Sequence, residues 1–181
     1  MARQIALLRG INVGGHRKVP MAELRDLMVR LGHQDVRTYV QSGNAVFTGP
    51  DDPRAETARQ LETELEAAFG FAVSVMVRSR DEIADVIDAN PLRSVATDPA
   101  RHLVLFLDEP VDRDRLAGLS PADYEPEAFH VRGREVFLWA PEGVSNSRLA
   151  KDLSEKRLGA TATARNWRTV EKLLEMADEE A

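Results

Sequence analysis

The chain has 181 residues, 43% of them hydrophobic, and a formal net charge of −6, enough for one full-sized domain or two small ones sharing a core. No apolar run reaches the ~18 residues of a membrane span and no secretory signal opens the chain, so a cytoplasmic protein without a membrane partner is expected. The lack of cysteine removes disulfides, thiolate nucleophiles and cysteine-ligated zinc or iron–sulfur centres, leaving chemistry to oxygen, nitrogen or a bound metal.

Residues 4–9 place Ile5, Leu7 and Leu8 ahead of Gly10 and read as a buried strand. Met21, Leu24, Leu27, Met28 and Leu31 then recur at helical spacing, with Pro20 suited to the first helical position and Gly32 to the C-terminal cap. Residues 36–41 and 44–48 are β-rich and flank Ser42-Gly43, the signal of a hairpin with a two-residue turn. A helix is predicted over 53–69, capped by Asp52, striped by Ala58, Leu61, Leu65 and Ala68, and stopped by Gly70. Residues 71–78 return as a strand. The order β-α-β-β-α-β is that of a ferredoxin-like plait.

Ser79-Arg80-Asp81-Glu82 is a capping box, heading a helix that buries Ile83, Val86 and Ile87 and ends at Asn90-Pro91. Residues 91–101 look like a linker. Beyond it the element order repeats more faintly: a strand over 102–107, a short helix near 111–119, strands near 127–131 and 134–139 around Arg132-Gly133, a helix near 146–157, a short strand near 160–163 and a closing helix over 167–177. The acidic end Asp178-Glu179-Glu180 is expected to fray. The expected architecture is α+β: a first ferredoxin-like lobe over 1–90, the linker, and a second, degenerate lobe with a C-terminal helix over 102–181, packed in tandem.

Charge is segregated. Residues 1–50 carry seven basic against three acidic side chains and residues 145–172 the same, so two basic blocks stand at opposite ends of an acidic chain. The first contains Arg9-Gly10-Ile11-Asn12-Val13-Gly14-Gly15-His16-Arg17-Lys18, a glycine-rich cationic loop. Gly10 and Gly15 have the gap of a P-loop, but His16-Arg17 stand where Lys and Ser/Thr are needed, and Gly-x-Gly-x-x-Gly is absent. What remains is a generic anion nest with Arg9, Asn12 and Lys18 as donors, or a tight turn whose glycines serve only the backbone. At the hairpin, Gln41, Ser42 and Asn44 are polar, but Val40 stands where a nucleophile elbow needs glycine, so Ser42 reads as a turn serine. That turn is expected at the opposite end of the sheet from the glycine loop.

In the second block, Ser147 heads a helix carrying Lys151, and Arg165 and Asn166 precede Trp167, with Asn166 suited to cap and Trp167 to anchor the last helix. His16, His33, His102 and His130 fall at no metal-ligand spacing, so no metal site is expected. Paired carboxylates sit where caps explain them, and the hairpin lacks the aromatic pattern of stacking-based RNA readers.

Together, Ala6 to Gly15, Met21-x-x-Leu24, Tyr39 to Asn44 with Phe47, Ser147-Arg148 and Thr163 to Trp167 resemble the bacterial domain-of-unknown-function family 1697. The resemblance implies a ferredoxin-like α+β fold without an assigned activity, and marks Arg9, Asn12, Gln41, Ser42, Asn44 and Arg165 as functional. The chain departs from the family pattern at Arg148 and Ala164, where Lys and Thr are expected, which leaves no lysine amine or threonine hydroxyl at these positions.

The leading expectation is a small phosphorylated or otherwise anionic ligand held by Arg9, Gly10, Asn12, Gly14, Gly15, Lys18, Gln41, Ser42 and Asn44 together with Ser147, Lys151, Arg165 and Asn166, in a cleft between the two basic segments. A nucleic-acid or protein-binding module without catalysis is the alternative, and a hydrolase or transferase ranks third for want of a base, metal or nucleophile. No cofactor or oligomeric state is indicated.

Overall fold

The computed structural model describes residues 1–52 and 54–179. Pro53 and Glu180, both assigned a place by sequence, lie outside them. The chain is α+β, with two four-stranded antiparallel sheets, and it divides into two units, Met1–Asp85 with Lys172–Ala181, and Val86–Glu171.

The first unit runs β1 (Ala2–Leu8), α1 (Met21–Arg30), β2 (Gln34–Tyr39), β3 (Asn44–Gly49), α2 (Arg54–Phe69) and β4 (Val75–Ser79), with strand order β2-β3-β1-β4. One sheet face meets the helices: Ala6, Leu8, Phe47, Val75 and Val77 share a core with Leu24, Leu27 and Met28 of α1 and Leu61 and Leu65 of α2. Ile5, Leu7, Val46 and Met76 alternate to the other face and are buried as well. The C-terminal end of the last helix, α6 (Trp167–Asp178), belongs to this unit and is held by cations. Arg37 bridges to Glu179 at 2.5 Å, Arg80 to Asp178 at 2.6 Å, and Arg3 and Arg37 donate to the Met176 carbonyl, favourable at a helix C-terminus.

Several boundaries differ from the sequence reading for local reasons. Pro20 is the N-cap in extended conformation, not the first helical residue. Ala68 is exposed and Thr57 takes its place in the buried stripe of α2. Strand β4 begins at Val75, and residues 70–74 before it form a loop beside the end of β1: Ser74 accepts from the Arg9 N–H and Ala72 from the Arg17 guanidinium. The hairpin turn spans four residues, Val40 to Gly43, rather than two, since the last pair is Tyr39 with Asn44.

The second unit contains the end of α3 (Arg80–Ala89), β5 (His102–Leu107), two single-turn 3-10 helices (Arg113–Leu116 and Pro121–Tyr124), β6 (Ala128–Arg132), β7 (Glu135–Trp139), a third 3-10 turn (Val144–Asn146), α4 (Arg148–Asp152), α5 (Glu155–Leu158), β8 (Ala162–Asn166) and the start of α6. Its strand order, β6-β7-β5-β8, matches the first. The capping box holds: the Ser79 N–H donates to Glu82 Oε2 at 2.8 Å and the Glu82 N–H to Ser79 Oγ at 3.1 Å. The short helix expected near 111–119 is instead the 3-10 turn Arg113–Leu116, capped by Asp112. The single helix expected near 146–157 is two, because Ser147 Oγ accepts from the Ala150 N–H to start α4, and Ser154 opens a new helix after Leu153. Strand β8 is longer than expected, reaching Asn166 in register with Leu103.

Candidate functional site

The glycine loop folds into a small hairpin. The His16 N–H donates to the Val13 carbonyl at 3.0 Å and the Asn12 N–H to the Arg17 carbonyl at 3.1 Å. Gly14 (φ 59°) and Gly15 (φ 77°) are the central pair, a turn of I′ type that needs two left-handed residues. Val13, Gly14, Gly15, His16, Arg17 and Lys18 are all exposed.

Antiparallel pairing of Leu7 with Asn44 puts the Val40–Gly43 turn at the same end of the sheet as this loop, the reverse of the sequence expectation. A strand that follows β1 through a helix runs parallel to it, so the hairpin it begins must turn over at β1's C-terminal end. The Leu8 N–H donates to the Gly43 carbonyl at 2.8 Å, and a Cβ on Gly43 would lie 2.7 Å from Leu8 Cβ and 2.8 Å from Ile11 Cδ1, so only glycine fits. Asn12 bolts loop to turn. Its Nδ2 donates to Val19 O at 3.0 Å and Gln41 O at 2.6 Å, while its Oδ1 accepts from the Val19 N–H at 2.9 Å. Its left-handed φ of 55° suits asparagine. Buried Asn44 closes the turn from below, donating to Tyr39 O at 2.9 Å and Ser42 Oγ at 3.1 Å.

Arg17, which sequence reasoning counted only as charge, is the second bolt. Its Nε donates to Gly10 O at 3.0 Å, another guanidinium nitrogen donates to Ala72 O, and the group lies 5.0 Å from the Phe71 ring centroid. Arg9 is half-buried, while Gly10, Lys18, Gln41 and Ser42 are exposed. Three segments thus gather at one end of the first sheet: 9–20, 40–43 and 70–74. They hold Arg9, His16, Arg17 and Lys18 and no carboxylate. Pairing Val75 with Leu8 brings in the third of them, which no motif flagged.

In the second unit, Ser147 is fully buried as the cap of α4, Lys151 is exposed, and Asn166 Oδ1 accepts from the Thr169 N–H at 2.9 Å to cap α6. Arg165 is buried; it donates to Thr163 Oγ1 at 2.7 Å and Ala164 O at 2.9 Å, and burial pushes its guanidinium pKa down to about 10. Trp167 stacks on buried His102, ring centroids 4.4 Å apart and planes 8° from parallel. His102 Nε2 is buried without a partner, and desolvation lowers its pKa to about 4. Among the described residues no three His, Asp or Glu side chains are grouped to hold a metal ion, and no helix is long and apolar enough to cross a membrane.

A model of the family described as "Protein of unknown function (DUF1697)" matches residues 1–137. The match contains the whole loop end of the first sheet but not Ser147-Arg148 or Thr163 to Trp167. Among solved structures the chain is similar to the conserved bacterial protein SP0830 from Streptococcus pneumoniae, with a TM-score of 0.76 and 29% identity over 98% of this chain and 99% of that one. No curated protein matches.

Proposed function

The chain belongs to the DUF1697 family of proteins of unknown function, and from that premise we propose that it binds a small phosphorylated or otherwise anionic ligand at the loop end of its first sheet. Both sheets are read as ferredoxin-like plaits, the first carrying the ligand. The observation that carries the reading is the gathering of 9–20, 40–43 and 70–74, three segments with four basic or titratable nitrogen side chains and no carboxylate.

Each residue has a part. Asn12, Asn44, Gly43 and Arg17 spend their hydrogen-bonding capacity or their space on the frame, which holds loop and turn still. Lys18 and Arg9 supply charge, Gln41 and Ser42 stand exposed beside them, and the Gly14-Gly15 tip lets a ligand approach the backbone. Pre-ordering of this kind lowers the entropy cost of binding.

Thermal unfolding in the presence of inorganic phosphate, pyrophosphate and nucleotides tests the reading. A ligand at about 100 times its Kd adds roughly 2.7 kcal/mol, a rise of several degrees at this size. The rise should vanish in Arg9→Ala/Lys18→Ala. No shift with any phosphate compound, or an equal shift in the double variant, overturns the proposal. An oligonucleotide bound in preference to all of these, with affinity falling steeply with salt, would assign the surface to nucleic acid instead.

A further inference from the structure

Two valines stand out at this same end. Val13 is 66% exposed and Val40 is 49% exposed, each one residue from the Asn12–Gln41 hydrogen bond that joins loop to turn. Val40 also has φ 50°. A β-branched residue in the left-handed region is strained, because its Cβ substituents crowd the backbone, whereas Gly or Asn sits there without penalty. The strain is not explained by packing, since half of the side chain faces solvent. Nor is it required by topology. The corresponding hairpin of the second unit is closed by two residues, Gly133 and Arg134, with glycine alone taking the left-handed φ of 60°.

Resting on the anion reading above, we infer that the ligand is an anion with a flat apolar body, of the class of aryl phosphates and nucleotides, whose apolar part lies on Val13 and Val40 while its charged part meets Lys18 and Arg9. The occupant is chosen by charge and by the two exposed apolar side chains. The three segments at this end carry cations and no carboxylate, which excludes a neutral apolar ligand as the best fit, and inorganic phosphate makes no use of two exposed apolar side chains. Strain held at an exposed position is characteristic of a surface kept for contact.

Isothermal titration of the full chain with inorganic phosphate and with phenyl phosphate tests this. Phenyl phosphate should bind about tenfold more tightly, from partial burial of the ring. Val40→Asn should remove most of that preference and leave inorganic phosphate binding unchanged, while the melting temperature rises by a few degrees because the backbone is relaxed. Val13→Ser should reduce the preference without the rise. These opposite signs separate lost contact from misfolding. Equal affinity for the two probes, or a preference that survives Val40→Asn with Val13→Ser, overturns the inference and leaves the anion reading standing. Binding of neither probe overturns the inference, and the anion reading falls with it only where pyrophosphate and nucleotides also leave the melting temperature unchanged.

Discussion

The loop ends of the two units share a frame and differ in what they mount on it. Leu8 and Leu107 donate to Gly43 O and Arg134 O at 2.8 and 2.9 Å; Arg9 and Asp108 donate through their backbone N–H groups to Ser74 O and Thr161 O at 2.9 and 3.1 Å. Glu62 and Glu155 accept from the Val75 and Ala162 N–H groups at 2.8 and 2.9 Å, and Arg78 and Arg165 are buried at the same step of β4 and β8. Yet the first end carries Arg9 and a glycine hairpin, while the second carries Asp108, Glu109 and Asp112, with Asp108 Oδ1 taking the Thr161 N–H at 2.9 Å and Asp112 pairing with Arg115 at 2.9 Å. Since the second unit builds the same strand ends with Asp108, Glu109 and Asp112 following its first strand in place of a cationic glycine hairpin, the fold does not demand that hairpin in the first. That is why the glycine loop is read as functional.

Substitutions at equivalent positions sharpen the contrast. The largest effect is expected for Gly43→Val, where left-handed φ and contacts at 2.7 and 2.8 Å combine to cost about 4 kcal/mol in urea unfolding. Arg134→Val, its counterpart, should cost no more than about 1 kcal/mol; equal costs would break the claim that the first turn is specially packed.

Next comes pH. His102 in the fold titrates near pH 4, against 6.5 for an ordinary imidazole. Between these values the unfolded chain binds the extra proton, so stability is full above pH 6.5 and falls as pH drops towards 4, by about 3 kcal/mol in all. His33, also lowered by burial, adds to the loss in the same direction. Urea midpoints measured at pH 7 and 4.5 should differ, and His102→Phe should shrink the difference; an unchanged difference would show that His102 is not the group responsible.

Asn12→Ala should cost about 2 kcal/mol, since three hydrogen bonds are lost and the N–H and carbonyl of buried Val19 are left unmet. Asp108→Ala, which releases only the Thr161 and Glu109 N–H groups, should cost about half as much by the same measurement. The smallest pair is the caps. Ser79→Ala and Asn166→Ala should each cost about 1 kcal/mol, because α3 and α6 start from the same step of their units.

Legibility in the sequence followed the range of the interaction. The capping box at Ser79, the cap at Asn166, the bounds of β5 and the core stripe of α1 were readable, because each is set by neighbours within a turn or two. The breaks that failed were also local but ambiguous: Ser147 and Ser154 compete as caps inside one apolar period, and the 3-10 turn at Arg113–Leu116 is too short for periodicity to resolve. At the candidate site, residue types were legible and their roles were not. Asn12 and Asn44 look like donors for a ligand in sequence and are committed to backbone carbonyls in the fold.

The sequence by itself determined the α+β class of the chain, the element order of its first unit and the position of its glycine loop, since composition, turn residues and apolar spacing act over a few residues at a time. Only the tertiary structure decided which end of the sheet each loop occupies, that residues 70–74 join 9–20 and 40–43, and that Val40 is strained in the open. Those depend on pairings such as Leu7 with Asn44 and Leu8 with Val75, between residues 37 and 67 positions apart, and backbone pairing at that range is chosen by burial of the whole sheet, which no local pattern encodes.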